Sequence, residues 1–312
     1  MRAATLALIL SASLFGASLV RARSQADQPS RAPISPLPRT VGGDPRKIAL
    51  GHDLFFDRRM SRSMTLSCAF CHDLNTNGAS SARRDRGDSG RLMQFNTPTV
   101  FNSAYSFRLG WEGRTRSLHD LVMGTLRTEH VMSGGGLSAR RLAADNTMSA
   151  RFRQIYGTAP SEDNVADAFA AFLETLVTPD APFDRWLRGD SSALTPQQVR
   201  GYTRFKVLGC ASCHQGVNVG ANIFQRRGIF HPLDAANPKY LRVPSLRNVA
   251  VTAPYFHNGS VPSLPEAIRR MAHSQLDLTI SDRDIKDISA FLDSLTGTYQ
   301  GHRLRPSAGN RK

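Results

Sequence analysis

All four cysteines of this 312-residue chain lie in two short motifs, Cys68-Ala69-Phe70-Cys71-His72 and Cys210-Ala211-Ser212-Cys213-His214. Each reads C-x-x-C-H, the attachment signature of a c-type haem. Two thiols at this spacing can add across the two vinyl groups of one porphyrin, and the adjacent imidazole then reaches the iron as an axial ligand. A structural zinc site pairs its cysteines about 15–20 residues apart, whereas most of a domain separates Cys71 from Cys210. A C-x-x-C pair can instead close into a redox disulfide. Neither alternative accounts for a histidine directly after both pairs. Two covalent haems are therefore expected, with His72 and His214 on the irons.

The elements that must position these turns are helical. Order is expected from Pro45, with Leu50, Leu54, Phe55 and Phe56 giving the first apolar face before Cys68. Residues 75–91 are Gly, Ser, Asp and Arg with few apolar side chains, a long loop of the kind that is usually functional or disordered. Ser117 can cap a short helix through Leu118, Val122 and Leu126, ended by the Gly134–Gly136 run. Ser161 starts a clearer one, with Val165, Phe169, Phe172 and Leu176 at helical spacing. Thr195-Pro196-Gln197-Gln198 is a capping box whose helix runs straight into Cys210. Ser281 caps a last helix through Ile285, Ile288, Phe291 and Leu295, with Gly297 as its stop. No β-type alternation extends over a useful length. The fold class is mainly α, two cytochrome c-like haem domains in tandem, each ordered helix, C-x-x-C-H, loop, helix.

Arg2, the apolar run from Ala3 to Val20 and the small residues beside Ala22 form a secretory signal pattern over 1–22. Residues 23–42 are Pro-, Ser- and Arg-rich and read as a flexible arm. The exported chain of about 290 residues exceeds one comfortable core, and the expected division is 43–180 and 181–312. The address is the periplasm, with no transmembrane span. A formal net charge of +15 can signal nucleic acid, but no basic helix carries base-reading residues. Steering of an acidic electron-transfer partner is the better use of that field. A merely soluble basic surface is the plainer alternative.

With these pieces placed, the chain resembles the bacterial di-haem cytochrome c peroxidase and MauG superfamily. The resemblance rests on Leu54-Phe55-Phe56-Asp57, Asn96-Thr97-Pro98-Thr99, Trp111-Glu112-Gly113-Arg114, Pro244–Val249 and Thr252–Gly259, as well as the two attachment motifs. It implies that the N-terminal haem meets hydrogen peroxide and the C-terminal haem delivers electrons. It implies Met271 as the distal ligand of the C-terminal haem and Trp111 as a relay between the two. It also implies an interdomain calcium held by Asn96 with backbone oxygens of Thr252 and Pro254. The electron donor would be a small cytochrome c or cupredoxin with an acidic face, and a homodimer is one of the open oligomeric states.

Two departures from the family pattern matter. No histidine lies between His72 and His119, so no side chain of that kind can block the N-terminal iron. The family's acid/base Glu falls on Val131 here and its companion Gln on Leu121, which leaves Glu129 or His130 to serve. Three functions compete: peroxide reduction, MauG-like oxidation of a partner's side chain, and non-catalytic electron carriage. MauG-type enzymes carry a Tyr where Met271 stands, which argues against the second.

Overall fold

The computed structural model describes residues 33–39, 42–234 and 238–307; the expected signal segment and most of the expected arm lie outside them. The first half contains α1 (Pro45–Phe56), the attachment turn α2 (Cys68–Cys71), α3 (Leu118–Arg127), α4 (Gly135–Ala144), α5 (Asn146–Tyr156) and α6 (Glu162–Glu174). The second contains α7 (Pro182–Leu187), α8 (Pro196–Val207), a 3-10 attachment turn at Cys210–Ser212, α9 (Leu264–Leu276) and α10 (Asp282–Asp293). Among the described residues strand is confined to two antiparallel hairpins, β1 (Phe224–Arg226) with β2 (Tyr240–Arg242) and β3 (Thr298–Tyr299) with β4 (His302–Arg303). The caps are those expected: Ser117 on α3, Ser161 and Thr195 as full capping boxes on α6 and α8, Ser281 on α10.

Each half is built on one close helix crossing. A Cβ placed on Gly51 of α1 would lie 1.9 Å from the Ala168 carbonyl oxygen of α6. A Cβ on Gly201 of α8 would lie 1.9 Å from the Asp287 carbonyl oxygen of α10. Glycine is what lets these backbones touch, and the helix so anchored then leads into its attachment turn. Around the first crossing Leu50, Leu54, Phe55, Phe169 and Phe172 are buried; around the second, Phe183, Trp186, Tyr202, Phe205 and Phe291. Each such side chain contributes about 1.5–3 kcal/mol on burial.

A second repeat runs through the irregular segments. Pro98 corresponds to Pro244, Asn102 to Asn248, Gly113 to Gly259, Ser117 to Ser263 and Leu118 to Leu264, all at one constant interval of residue number. The structure follows the correspondence. Asn102 and Asn248 are both left-handed (φ 61° and 64°) and each precedes a 3-10 turn. Asn102 Oδ1 accepts from Thr178 N at 2.9 Å, and Asn248 Oδ1 from Gly297 N at 3.0 Å. Gly113 and Gly259 both have φ of +60°. Bridges Leu109–Thr115 and Tyr255–Val261 close the same small loop twice.

Several expectations are corrected. Of the arm, residues 33–39 are packed: Ile34 and Leu37 are fully buried, because Gly216 N donates to Pro33 O and the Asp184 carboxylate accepts from Leu37 N. The Gly134–Gly136 run opens α4 and does not simply end α3. Just after the expected division at 180, α7 drives Phe183 and Trp186 into the second core, an element the sequence did not announce. Beyond α10 the chain returns to the first half, where Leu304 and Tyr299 pack on the first core. Both ends of the described chain thus cross to the opposite half.

Candidate haem centres and the seam between them

In the first centre Ser67 precedes the turn that presents Cys68 and Cys71, and His72 follows as its C-cap. His72 Nδ1 donates to the Gly78 carbonyl at 3.0 Å. A ring so held keeps Nε2 unprotonated and aimed, the arrangement metal-binding histidines adopt. Burial pushes the His72 imidazole down, which favours its neutral form. The loop read as functional or disordered turns out to be built. Asn77 is fully buried and donates to Val251 O, and Asp85 accepts from Ser80 Oγ at 2.9 Å and Thr97 Oγ1 at 2.5 Å.

The second centre repeats this. His214 Nδ1 donates to the Val219 carbonyl at 3.3 Å, and burial pushes the imidazole down to about 4. Gly220 has φ of +128°, and a Cβ there would lie 2.2 Å from Pro244 O and 3.3 Å from His214 Nδ1. Only glycine fits this cradle. None of the four cysteines is in a disulfide; burial pushes the Cys68 thiol up to about 12 and the Cys210 thiol to about 11. Both donor sets fit a haem: paired thiols, a neutral imidazole and one free ring nitrogen.

The halves meet at Trp111 and His257, which are equivalent positions of the repeat. Their rings stand edge to face, 6.4 Å apart. Asn96 N donates to His257 O at 2.7 Å, and its counterpart Arg242 N donates to Trp111 O at 3.0 Å. The seam is therefore a reciprocal exchange across a local two-fold. Trp111 Nε1 donates to Asn96 O at 2.8 Å, which fixes the indole. His257 is buried against Arg227 and Asp234; burial pushes it down, opposed by the Asp234 carboxylate. Burial also lowers Arg242, to about 10. The side-chain amide of Asn96 donates to Ala82 and Arg83 carbonyls, and its Oδ1 has no hydrogen-bond partner among the described residues. Thr252 and Pro254 are half-buried, on the segment leading to His257. Such oxygens suit calcium.

Glu129 and His130 lie on the turn after α3, both exposed, and neither side chain has a hydrogen bond or ion pair among the described residues. Val131 and Leu121 pack in the same apolar cluster as Cys68 and Ala69. Met271 is half-buried on α9. Sequence reading missed its counterpart: Ser117 and Ser263 start α3 and α9 in register, so Thr125 is the eighth residue of α3 as Met271 is of α9. Thr125 Oγ1 donates to Leu121 O at 2.8 Å. The interval linking Pro98 to Pro244 was the available signal.

Two repeated helical halves, each presenting C-x-x-C-H and meeting at a tryptophan, define a di-haem c-type cytochrome. The comparisons with known proteins agree. The di-haem cytochrome c peroxidase family matches residues 45–192, and the RoxA-like, cytochrome c-like family matches 241–273. Cytochrome c551 peroxidase of Pseudomonas aeruginosa is 36% identical over 310 residues, 91% of this chain and 89% of that one. Cytochrome c peroxidase Ccp of Escherichia coli is 38% identical over 86% of this chain, which spans 62% of its length. Methylamine utilization protein MauG of Methylorubrum extorquens is 31% identical, covering 83% and 81%. A crystal structure of a MauG-like protein associated with microbial copper homeostasis shares the fold, with TM-score 0.73 and 23% identity over 85% of this chain and 93% of that one. The chain belongs to the bacterial di-haem cytochrome c peroxidase and MauG superfamily, a family of haem oxidoreductases. Among the described residues no helix is long and apolar enough to cross a membrane.

Proposed function

We propose that the protein is a periplasmic peroxidase that reduces hydrogen peroxide with electrons from a small redox protein. When bound, the two haems supply the redox chemistry: hydrogen peroxide takes two electrons and two protons and leaves as two waters. Cys68 and Cys71 hold one haem covalently, Cys210 and Cys213 the other. His72 and His214 offer Nε2 because a backbone carbonyl occupies Nδ1 in each. The observation that carries the reading is the inequality of the two centres within one repeated scaffold. Met271 offers a thioether on α9, and Thr125, a side chain that does not ligate, stands at the same place on α3.

His/Met ligation raises a reduction potential, which suits an entry point. Trp111, pinned by Asn96, lies between the halves as a relay. Asn96 Oδ1 with Thr252 and Pro254 carbonyls would hold calcium at the seam and stiffen it. Glu129 or His130 would move the proton between peroxide oxygens by swinging inward from the exposed turn. The basic surface would steer an acidic cytochrome c or cupredoxin. Mass spectrometry of the holoprotein is expected to show two covalent haem additions, and a stopped-flow assay with a reduced small cytochrome is expected to show peroxide-dependent oxidation. Two haems without that turnover would favour electron carriage, and one addition or none would overturn the assignment of the centres.

A further inference from the structure

A cluster of ligand-type side chains lies outside both haem centres, at the C-terminal end of α9. His273 is in its last turn, and Asp277, four residues on, is its left-handed C-cap (φ 54°). His231 comes from the segment after β1, and its backbone is docked on that same turn, with Phe230 N and His231 N donating to Ser274 O at 3.1 and 3.3 Å. The result is that His231 Nε2 lies 2.7 Å from Asp277 Oδ1, and the His231 and His273 rings stack at 4.0 Å with 6° between planes. One donor atom from each of the three lies within 4.8 Å of the other two. Among the described residues no other set of three His, Cys, Asp or Glu meets that condition.

We infer that His231, His273 and Asp277 form a binding site for a late first-row divalent cation, Zn2+ being the type case. Two imidazoles and one carboxylate suit zinc or copper and not calcium or magnesium, which take oxygen donors. Tetrahedral bonds of about 2.0–2.2 Å bring donors to about 3.5 Å from one another, so the side chains need to close by only about an ångström. They are free to do so, because the His231 and Asp277 side chains are 45% and 60% exposed. Exposure also leaves the fourth vertex to water and keeps the desolvation cost low. The backbone frame is already set by Ser274, so few degrees of freedom remain to be fixed on binding. An ion here would bolt the segment after β1 to the last turn of α9, where His273 is two residues beyond Met271. An ordinary His–Asp pair pinning that segment is the competing account, and it predicts no affinity for metal.

The test uses the holoprotein, stripped with chelator, incubated with zinc sulfate and dialysed. Metal analysis is expected to give one Zn per two Fe. Competition with a chromophoric chelator is expected to show His231→Ala and His273→Ala each weakening Zn2+ more than the 10–100-fold that outer-shell changes cost. Asp277→Asn is expected to weaken it less. Unchanged haem spectra verify that the variants fold, and Zn2+ is expected to raise the thermal midpoint of the unmodified protein only. No retained zinc, or zinc retained equally by the double variant His231→Ala/His273→Ala, overturns the site. None of these outcomes depends on peroxidase activity.

Discussion

If the eighth residue of α3 and α9 decides which iron is open, exchanging that residue should exchange the property. In Thr125→Met the new side chain starts from a helix in register with α9 and is as long and flexible as the Met271 side chain proposed to ligate the other iron. The fold should tolerate it. Thr125 is half-buried, and its hydroxyl only back-bonds to Leu121 O, a bond that adds little to a helix. Overpacking costs about 1–3 kcal/mol in a tight core, and a half-buried site belongs at the low end. A thioether that occupies the iron 99 parts in 100 raises the apparent Kd for a competing ligand about 100-fold. Cyanide titration of the fully oxidised protein, followed at the Soret band, measures this directly. The unmodified protein should take up one equivalent quickly. Thr125→Met should bind about 100-fold more weakly and gain a sulfur-to-iron charge-transfer band. Met271→Thr should take up a second equivalent.

Thr125→Met that carries both haems yet binds cyanide as before would refute the equivalence of the two positions. An unchanged spectrum in Met271→Thr would instead remove Met271 from the iron, which separates the two ideas.

Replacing both Glu129 and His130 by Ala should lower peroxide turnover by about 10²–10⁴-fold with haem spectra intact; the single variants identify which one acts, and full activity in the double variant excludes both. Arg247→Met should cost about 3–5 kcal/mol in unfolding experiments, because it strands the Asp184 carboxylate in a fully buried ion pair. Arg247 also donates to Ser35 O at 2.9 Å, so limited proteolysis should cut 33–39 in that variant first. Gly201→Ala should lower the thermal midpoint by several degrees, since the added Cβ would lie 1.9 Å from Asp287 O and must push α8 away from α10. Asp44 caps α1 and is held down at about 2, chiefly by the Arg46 side chain. Its stabilisation is complete above the ordinary value of 3.8 and is lost as pH falls toward 2. The midpoint gap between the unmodified protein and Asp44→Asn should therefore close over that range.

What could be read from the chain was what local chemistry dictates. Ser161 with Asn164 and Thr195 with Gln198 announce helix starts by pairing side chain to backbone, and both are where they were expected. The attachment motifs are fixed by porphyrin chemistry. Helices α4 and α5 were not legible, because a glycine run opens one and alternating polar side chains such as Arg151, Arg153 and Gln154 dilute the other. Helix α7 hides between Pro, Gly and Asp residues and is held by Phe183 and Trp186 packing on Tyr202. The anchoring of 33–39 depends on Asp184 and Arg247, partners distant in sequence. No local pattern carries that information.

The repeat in the irregular segments was hidden for a reason that bears on function. Where the halves must share geometry, the residues match: Pro98 with Pro244, Asn102 with Asn248, Gly113 with Gly259. Where they must differ, they do not: Trp111 faces His257, Asn96 answers Arg242, and Thr125 stands for Met271. A duplicated scaffold by itself yields two similar irons, between which electrons have no preferred direction. Direction needs one centre to be saturated and one left with a vacant position, plus a seam that conducts between them. The smallest change that breaks the symmetry of the centres is one side chain at one helical position, a ligating thioether against a short hydroxyl. The reciprocal backbone bonds of Asn96 and Arg242 keep the frame symmetric while the side chains diverge. In this protein the framework is duplicated, and the roles proposed for Trp111 and Met271 fall on the exceptions to it.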